Sequence, residues 1–336
     1  MSIDRWMSDA AGSRTASLLI AALLWGCLAG PAAAQQLPVD IEAFIHAMVY
    51  KHGFKREELR RIFRDVHSRP RVLRAISKPT TAKPWHEFRA ITVTRERIDR
   101  GVAFWGIYEK TLDRVSTEYG IPQEIIVATI GVESLYGHHI GGFLVIEALT
   151  TLAFQYPPRA DFFRGELEEL LLLARETGLD ALRVRGSYAG AIGIPQFLPS
   201  SYRKYAKDFD GDGKPDLVNS VPDAMASIAN YYRTFGWRSG EPVAVRAAIN
   251  ADGAKAVNSE VIEPRITVAD LQQQGMKPLT PVGETLLAAP FAVAAKEAKE
   301  YWLGFNNFYV ITRYNRSINY ALAIYELAQE LRAAKR

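Results

Sequence analysis

Cysteine is nearly missing from this chain: its 336 residues hold one, Cys27, and only six histidines. There is no CxxC, HExxH or His–Cys cluster, which excludes dithiol redox chemistry and zinc sites of the usual spacing. His138 and His139 are neighbours, and on a helix adjacent side chains point about 100° apart, so they do not share a metal. Also missing are a P-loop, a dinucleotide fingerprint, a GxSxG elbow and any Arg/Lys tract interleaved with aromatics. The net charge of +4 and pI near 9.0 are too small an excess to argue for nucleic acid, and suit an acidic polymer or surface instead. Past residue 30 no run reaches 18 uninterrupted apolar residues, as a spanning helix would need.

What is there is an ordinary globular composition, 48% hydrophobic and 23% charged, so a sizeable core can be buried. The length leaves room for about two compact domains, or one core with an inserted lobe. The N-terminus reads as an export leader. Arg5 and Arg14 precede the apolar stretch ASLLIAALLWGCLAG (16–30), and Ala32 and Ala34 supply small residues for cleavage before Gln35. A second reading takes LWGC as a lipoprotein signal with the anchor on Cys27, although Trp25 is bulky for that role. Cleavage after Ala34 leaves a mature chain with no cysteine and no disulfide.

Two short helices fit IEAFIHAMVYKHG and REELRRIFRDV within 39–78, with Gly53 at the first stop. PTTAKPWH (79–86) reads as a connector. A long amphipathic helix is expected from about Thr94 to Tyr119, ended by Gly120, with Pro122 opening the next. Further helices fit 143–155, 160–177, 200–207, 222–235 and 317–333, the last with Ser317 as N-cap. From about Glu241 to Leu303, short β-prone pieces such as PVAVRAAI and RITVADLQQQG break the helical rhythm and predict a small inserted β-containing lobe.

The stretch GVESLYGHH (131–139) places one glutamate near the end of an apolar helix. Ile126, Ile130 and Glu133 fall on one face, and Gly137 is the expected stop. The negative end of the helix dipole and burial against isoleucines both raise a carboxyl pKa, as a general acid near neutrality requires. A semi-buried structural acceptor fits the spacing equally well. Glu124, in the first turn of the same helix, needs no function.

Two loops stand out. RGSYAGAIGIPQFLPSSY (185–202) gathers glycines and prolines around Ser187, Tyr188 and Gln196. Glycines permit close backbone approach to a ligand, and Gln196 offers donors and acceptors; alone, the loop reads equally as a structural turn. In DFDGDGKPDLVNSVPD (208–223), Asp208, Asp210 and Asp212 occupy positions 1, 3 and 5 of an EF-hand-like loop. Gly213 stands at position 6 and the Lys214 carbonyl at 7, but position 12 is Asn219, with Asp223 four residues on. A structural Ca2+ fits this pattern, and so does an acidic solvated turn.

Together these stretches resemble one family, the lytic murein transglycosylases of the membrane-bound B type with their soluble 35-kDa relatives. VATIGVESLYG, TLAFQYPPRADFF, GSYAGAIGIPQFLPSSYRKYAKDFDGDG, IANYYRTFGW and YWLGFNNFYVITRYNRSINYA carry the resemblance in the family's order, from about residue 38 to 335. It implies a mainly α fold: a lysozyme-like helical core, an α-helical domain drawn from both chain ends, and a small β-lobe. The segments would be a leader (1–34), an N-terminal α-helical domain (35–92), a catalytic core (93–240), the β-lobe (241–303) and a closing segment (304–336).

The resemblance further implies cleavage of the β-1,4 bond between N-acetylmuramic acid and N-acetylglucosamine in peptidoglycan, leaving a 1,6-anhydro end. Glu133 matches the catalytic acid/base. Ser187, Gln196, Tyr231, Tyr314, Asn315 and Tyr320 match cleft positions. Asp208, Asp210, Asp212, Lys214 and Asp223 match the calcium site, with Asp210 where some relatives have serine and one extra residue before Asp223. Phe162 stands where some relatives have tyrosine. The expected setting is the periplasm, or the outer membrane if Cys27 is lipidated. The expected partners are glycan strands, with cell-wall synthesis or division proteins beside them, and nothing implies more than a monomer.

The residues agree on one point. A two-carboxylate glycosidase needs a second acid at a set distance, and no obvious partner for Glu133 stands out; Glu147 lies in a separate helical run. One glutamate suffices if the substrate supplies its own nucleophile. A lysozyme-type hydrolase and a non-catalytic, calcium-stabilised wall-binding protein are the other readings. Tyr202 and Tyr205 read as core.

Overall fold

The computed structural model describes residues 37–77 and 82–336. The leader, with Ala34 and Cys27, lies outside them. The described residues open with helices α1 (Val39–His52), α2 (Arg56–Arg64), α3 (Pro70–Ile76) and α4 (Trp85–Thr92). Then follow α5 (Arg95–Ile107), α6 (Glu109–Tyr119) and α7 (Gln123–Ser134), a two-residue strand β1 (Phe143–Leu144), and the pair α8 (Val145–Gln155) and α9 (Ala160–Thr177). Strand β2 (Arg185–Gly186) pairs antiparallel with β1, and α10 (Pro199–Tyr205) and α11 (Val221–Thr234) flank the acidic loop.

The remaining elements build the lobe and return to the helical body. They are β3 (Ala244–Ile249), α12 (Gly253–Ala256), β4 (Ile266–Thr267), α13 (Val268–Gln273), β5 (Met276–Pro278), β6 (Leu287–Ala294), β7 (Lys299–Gly304), α14 (Asn306–Tyr314) and α15 (Ile318–Lys335). The five strands form an antiparallel sheet in the order β4-β6-β7-β3-β5. Alternation along the strands splits its side chains between two cores. Val245, Ala247, Ala288 and Leu303 pack with Val268, Leu271 and Met276 in a core of the lobe's own. Ala244, Phe291, Val293 and Trp302 face the main helical core. The protein is therefore mainly helical with a small β-lobe, as expected.

The centre of the body is α7. Every residue from Ile125 to Gly131 is buried, because α5, α6, α11 and α15 surround it. The C-terminal helix α15 also packs on α4, so the last residues of the chain meet the early ones. Ser317 caps α15 by accepting from the Tyr320 amide at 3.3 Å.

Several expected boundaries moved. The single helix expected over 94–119 is two helices joined at Tyr108, which caps one and starts the other. The first two residues of 143–155 are strand. Part of the expected connector is helix: Trp85 and Phe88 are buried on α4. The stop expected at Gly137 comes earlier, at Ser134.

Candidate active site

Glu133 sits in the last turn of α7, beyond the run of buried residues, and retains partial solvent contact while densely surrounded by protein. Its Oε1 accepts a hydrogen bond from the Tyr320 hydroxyl. Burial drives its pKa up to about 7, with the Tyr320 bond pulling the other way. At neutral pH the group is thus divided between acid and carboxylate, the poise a general acid/base needs.

The backbone that presents it is unusual. Among the described residues, three non-glycine residues have positive φ: Leu135 at 48°, Tyr136 at 60° and Gln196 at 51°. All three lie at this site, and such conformations cost of order 1–3 kcal/mol each unless the surroundings hold them. Leu135 closes the helix through its N–H to Gly131 O at 3.2 Å, and the Tyr136 N–H reaches Ile130 O at 3.4 Å. Ser134 ties down the next turn, its Oγ accepting from Gly137 N at 3.0 Å.

Tyr136 is the clamp. Its hydroxyl donates to Arg97 O at 2.8 Å, and its ring lies over Gly101 and Gly131. A Cβ at those glycines would stand 2.3 and 2.5 Å from the Tyr136 oxygen, so only glycine leaves the slot open. Arg97 completes the anchor. Its guanidinium donates to Gly131 O at 3.0 Å, to Ile91 O at 3.1 Å and to Thr92 O, joining the C-termini of α4 and α7. The sequence reading missed both residues. The signal available was a tyrosine directly before the glycine of SLYG, too bulky for a free turn.

From Glu133 a wall of aromatics runs outward. Tyr320 stacks on Tyr314 with centroids 6.3 Å apart, and Tyr314 packs on Tyr231 at 4.9 Å. Burial and the nearby Glu133 raise the pKa of Tyr314 and Tyr320 well above the usual phenol value, so both remain neutral donors. The Tyr314 hydroxyl donates to Pro195 O, next to Gln196. The Tyr231 hydroxyl donates to Arg313 O at 2.6 Å, which leaves its ring, more than its oxygen, as the surface offered.

Gln196 is fixed from behind. Its Nε2 donates to Ile140 O at 3.0 Å and Gly193 O at 2.7 Å, and its Oε1 accepts no hydrogen bond among the described residues. Ser187 follows β2 on the same loop, its Oγ accepting from Ala189 N at 3.2 Å and Ala191 N at 3.0 Å, with its proton still available. Asn315 is exposed just past α14. The structure thus joins Glu133, Tyr320, Tyr314 and Tyr231 in one contact chain, and Gln196 adjoins it in sequence through Pro195, whose carbonyl Tyr314 bonds. Asn315 directly follows Tyr314, and among the described residues neither it nor Ser187 bonds Glu133. Phe162 is exposed, with the Arg159 guanidinium 4.2 Å from its ring centroid. Tyr202 and Tyr205 are core, as expected, and Tyr202 pins the acidic loop through bonds to Pro215 O at 3.0 Å and from Leu217 N at 2.9 Å.

In that loop Asp208, Asp210 and Asp212 are exposed, and one carboxylate oxygen from each lies within 4.8 Å of the other two. Three hard anionic ligands so close fit a calcium-sized cation, and the Lys214 carbonyl follows them in register. Asp223 lies apart from this group. It is fully buried, and its oxygens accept from the backbone N–H groups of Phe209 at 2.7 Å, Asp210 at 3.3 Å and Asp216 at 2.8 Å. It therefore organises the loop from within, outside the cluster.

A family model described as a transglycosylase SLT domain matches residues 38–329. The chain is 40% identical over 306 residues to the membrane-bound lytic murein transglycosylase B of Escherichia coli, covering 88% of this chain and 83% of that protein. Among solved structures, the soluble lytic transglycosylase SltB1 from Pseudomonas aeruginosa superposes with a TM-score of 0.82 at 45% identity, covering 88% of this chain and 99% of that one. The E. coli lytic transglycosylase Slt35 in complex with calcium gives 0.80 at 39% identity, covering 88% and 94%.

Proposed function

The chain belongs to the transglycosylase SLT domain family, and from that premise we propose that it is a peptidoglycan lytic transglycosylase in which Glu133 serves first as acid and then as base. The observation that carries this is a lone glutamate with a pKa near 7, bonded by a neutral phenol. The other buried carboxylates are engaged elsewhere: Glu147 by Arg69, Glu166 by Ser200 and Asp223 by loop amides. Protonated Glu133 gives its proton to the glycosidic oxygen O4, which joins muramic acid C1 to glucosamine C4, and the C1–O4 bond breaks, leaving the glucosamine with its 4-hydroxyl. The resulting carboxylate takes the proton of the muramic acid C6 hydroxyl as that oxygen bonds to C1. The 1,6-anhydro ring closes, Glu133 regains its proton, and no water is consumed.

In this scheme Tyr320, by donating to Oε1, leaves Oε2 to carry the travelling proton. The Gln196 Oε1 and the aromatic faces are aimed at the positive charge that develops at C1. Ser187 and Asn315 supply hydroxyl and amide groups for the sugars. Residues 93–240 act as the catalytic core and 241–303 as the lobe bordering it. A murein substrate goes with an exported protein, freed near Ala34 or anchored at Cys27.

We assign calcium to Asp208, Asp210, Asp212 and the Lys214 carbonyl, where it would neutralise the three carboxylates. The loop is tied to the Gln196 turn by the Ile194 N–H to Leu217 O bond at 2.8 Å, so its role is structural. Calorimetric titration of Ca2+ into the wild type should show one site that Asp208→Ala and Asp212→Ala abolish; an unchanged isotherm would remove the assignment.

The primary test is mass spectrometry of fragments released from purified peptidoglycan. Anhydro-ended muropeptides, one water lighter than hydrolysis products, are expected. Reducing ends would establish a hydrolase and require a second carboxylate. No fragments from folded, calcium-loaded protein would make it a binding module.

A further inference from the structure

The positive charge of the chain is unevenly spread. Between Asp65 and Glu87 lies a stretch, 66–86, with no aspartate or glutamate and five basic residues, Arg69, Arg71, Arg74, Lys78 and Lys83. Its charge exceeds the net +4 of the whole chain, so the remainder is slightly acidic. A run of one sign stays in solvent or meets a partner of the other sign.

The fold presents this stretch as a face. Helix α3 packs on α8 and buries Val72, with Leu73 and Ile76 partly buried beside it. That turns Arg71 and Arg74, three residues apart, to the outside, where both are exposed. Neighbouring elements extend the face. Arg71 lines a cavity of about 560 Å3 with Ser68, Arg69 and Arg185. Ser68 also lines the next cavity, with Arg64 and His67, where Asp40 is the one carboxylate. Among the described residues Arg64, Arg71, Arg74 and Arg185 form no ion pair, and Arg185 donates one N–H to Gly142 O at 2.7 Å. Arg69 and Lys83 differ, being neutralised by Glu147 and Glu87.

The four unpaired guanidiniums are carried by α2, α3 and β2, and none is buried. That layout suits an extended anionic surface better than a single bound ion. The chain also enters the fold here: Leu37 and Pro38, the first described residues, share the second cavity with Arg64 and Ser68. Leu37 lies ten residues beyond Cys27, a reach of at most about 36 Å. A lipid on Cys27 would keep the face within that distance of a bilayer, and a chain cleaved after Ala34 would still carry it. Guanidiniums bond phosphate oxygens in pairs, and each basic residue near an anionic leaflet adds to the attraction.

We propose that the face formed by Arg64, Arg71, Arg74 and Arg185 docks the protein on a membrane surface of anionic phospholipid headgroups. The contact is electrostatic, stands outside the chain of contacts around Glu133, and does not depend on what Glu133 cleaves.

The test is co-sedimentation with vesicles, using the chain from Gln35 onward, which keeps every described residue and carries no lipid. Vesicles of phosphatidylcholine and phosphatidylglycerol in equal parts should be bound at low salt, less as salt screens the contact, and phosphatidylcholine alone should not. Each arginine near such a surface accounts for about a fivefold change in affinity, so Arg71→Gln with Arg74→Gln should weaken binding about 25-fold. Lys296→Gln with Lys299→Gln removes the same charge from exposed β-lobe positions and should leave binding within about twofold. All four side chains are exposed, so both variants should melt with the wild type. Equal weakening by both pairs would reduce the effect to net charge, and equal binding to both kinds of vesicle would make it non-electrostatic; either overturns the proposal. So does a wild type that binds neither. If the arginine variant lost binding to purified murein sacculi while its vesicle binding stayed unchanged, the face would belong to the wall polymer and the membrane assignment would fall.

Discussion

Two glutamates on consecutive helices, Glu133 and Glu147, are both largely withdrawn from solvent, and the chain treats them in opposite ways. Glu147 stands in the first turn of α8, where the dipole favours its charge, and is clamped by Arg69 through bonds of 2.6 and 2.7 Å. Glu133 stands in the last turn of α7, where the dipole opposes its charge, and its bonded side chain is a neutral phenol. The hydrogen bond and charge of Glu147 raise the Arg69 pKa, while burial lifts Glu133 to about 7. Burial alone therefore does not make a working acid. What matters is burial without a cation, at the wrong end of a helix, on a backbone held rigid by Tyr136 and Arg97. Glu166 is intermediate: buried, bonded by Ser200 N at 3.0 Å and Ser200 Oγ at 2.7 Å, its pKa raised by burial against those bonds.

The sharpest way to break this contrast is Glu133→Gln. Loss of the acid/base should reduce turnover by at least about 10³-fold, measured as fragment release from peptidoglycan. The same change should stabilise the fold at high pH. The folded pKa of Glu133, about 7, lies above the ordinary 4.5, so the native state binds more protons between those values. Stability of the wild type must then fall as pH rises through that window, and above pH 7 the full cost, on the order of 1–3 kcal/mol, is present. Glutamine removes it. Melting curves should show the variant gaining above pH 7 and little changed below 4.5. Wild-type kcat/KM should likewise decline about tenfold per pH unit on the alkaline side of 7. A variant that retains turnover, or that melts lower at pH 8, would dissolve the distinction drawn here.

Glu147→Gln tests the other half. Removing one partner of a buried pair costs about 3–5 kcal/mol when both are fully enclosed. Arg69 is about half exposed, with 47% of its side chain accessible, so about 1–3 kcal/mol is expected. Turnover per folded molecule should not change. Arg69→Met in the same background should recover part of the loss. An unaltered melting temperature with lost activity would move Glu147 into the catalytic machinery.

How much of this was visible in the sequence depends on whether the cause was local. The apolar stripe on α7 and the glycine at 120 are local signals, and the corresponding features stand where they were expected. Gly106 stands two residues before Tyr108, but a single glycine inside a helical run is tolerated too often to divide 94–119 by itself. Helix α4 follows two prolines and a short polar run; it forms because Trp85 and Phe88 are buried against the lobe and α15, a tertiary cause. At the site, spacing and helix position made Glu133 a candidate without separating an acid from a structural acceptor, and its partner Tyr320 comes from the far end of the chain. The Arg97–Tyr136 clamp could not be singled out, because it joins residues from two helix ends far apart in the chain. Asp223 shows a related limit: at a helix start an aspartate serves a cation or backbone amides equally well, and the sequence gives no sign of the bonds it accepts from the Phe209, Asp210 and Asp216 amides.

Tyr320→Phe should give the smallest of these effects, and it probes the contrast from within the site. The phenol stabilises the charged form of Glu133, so it moderates the pKa that burial raises. Deleting the hydroxyl keeps the ring stacked on Tyr314 and removes only the donor. The Glu133 pKa must then rise, and the alkaline limb of the pH–rate profile should move upward by less than about one pH unit. Maximal rate should fall less than about tenfold, since the acid is still present but its proton is no longer confined to one oxygen. Were the limb to move downward, the hydroxyl would be accepting from Glu133. The partner of the acid would then stabilise its neutral form, the reverse of what Arg69 does for Glu147 and a stronger contrast than the one drawn here.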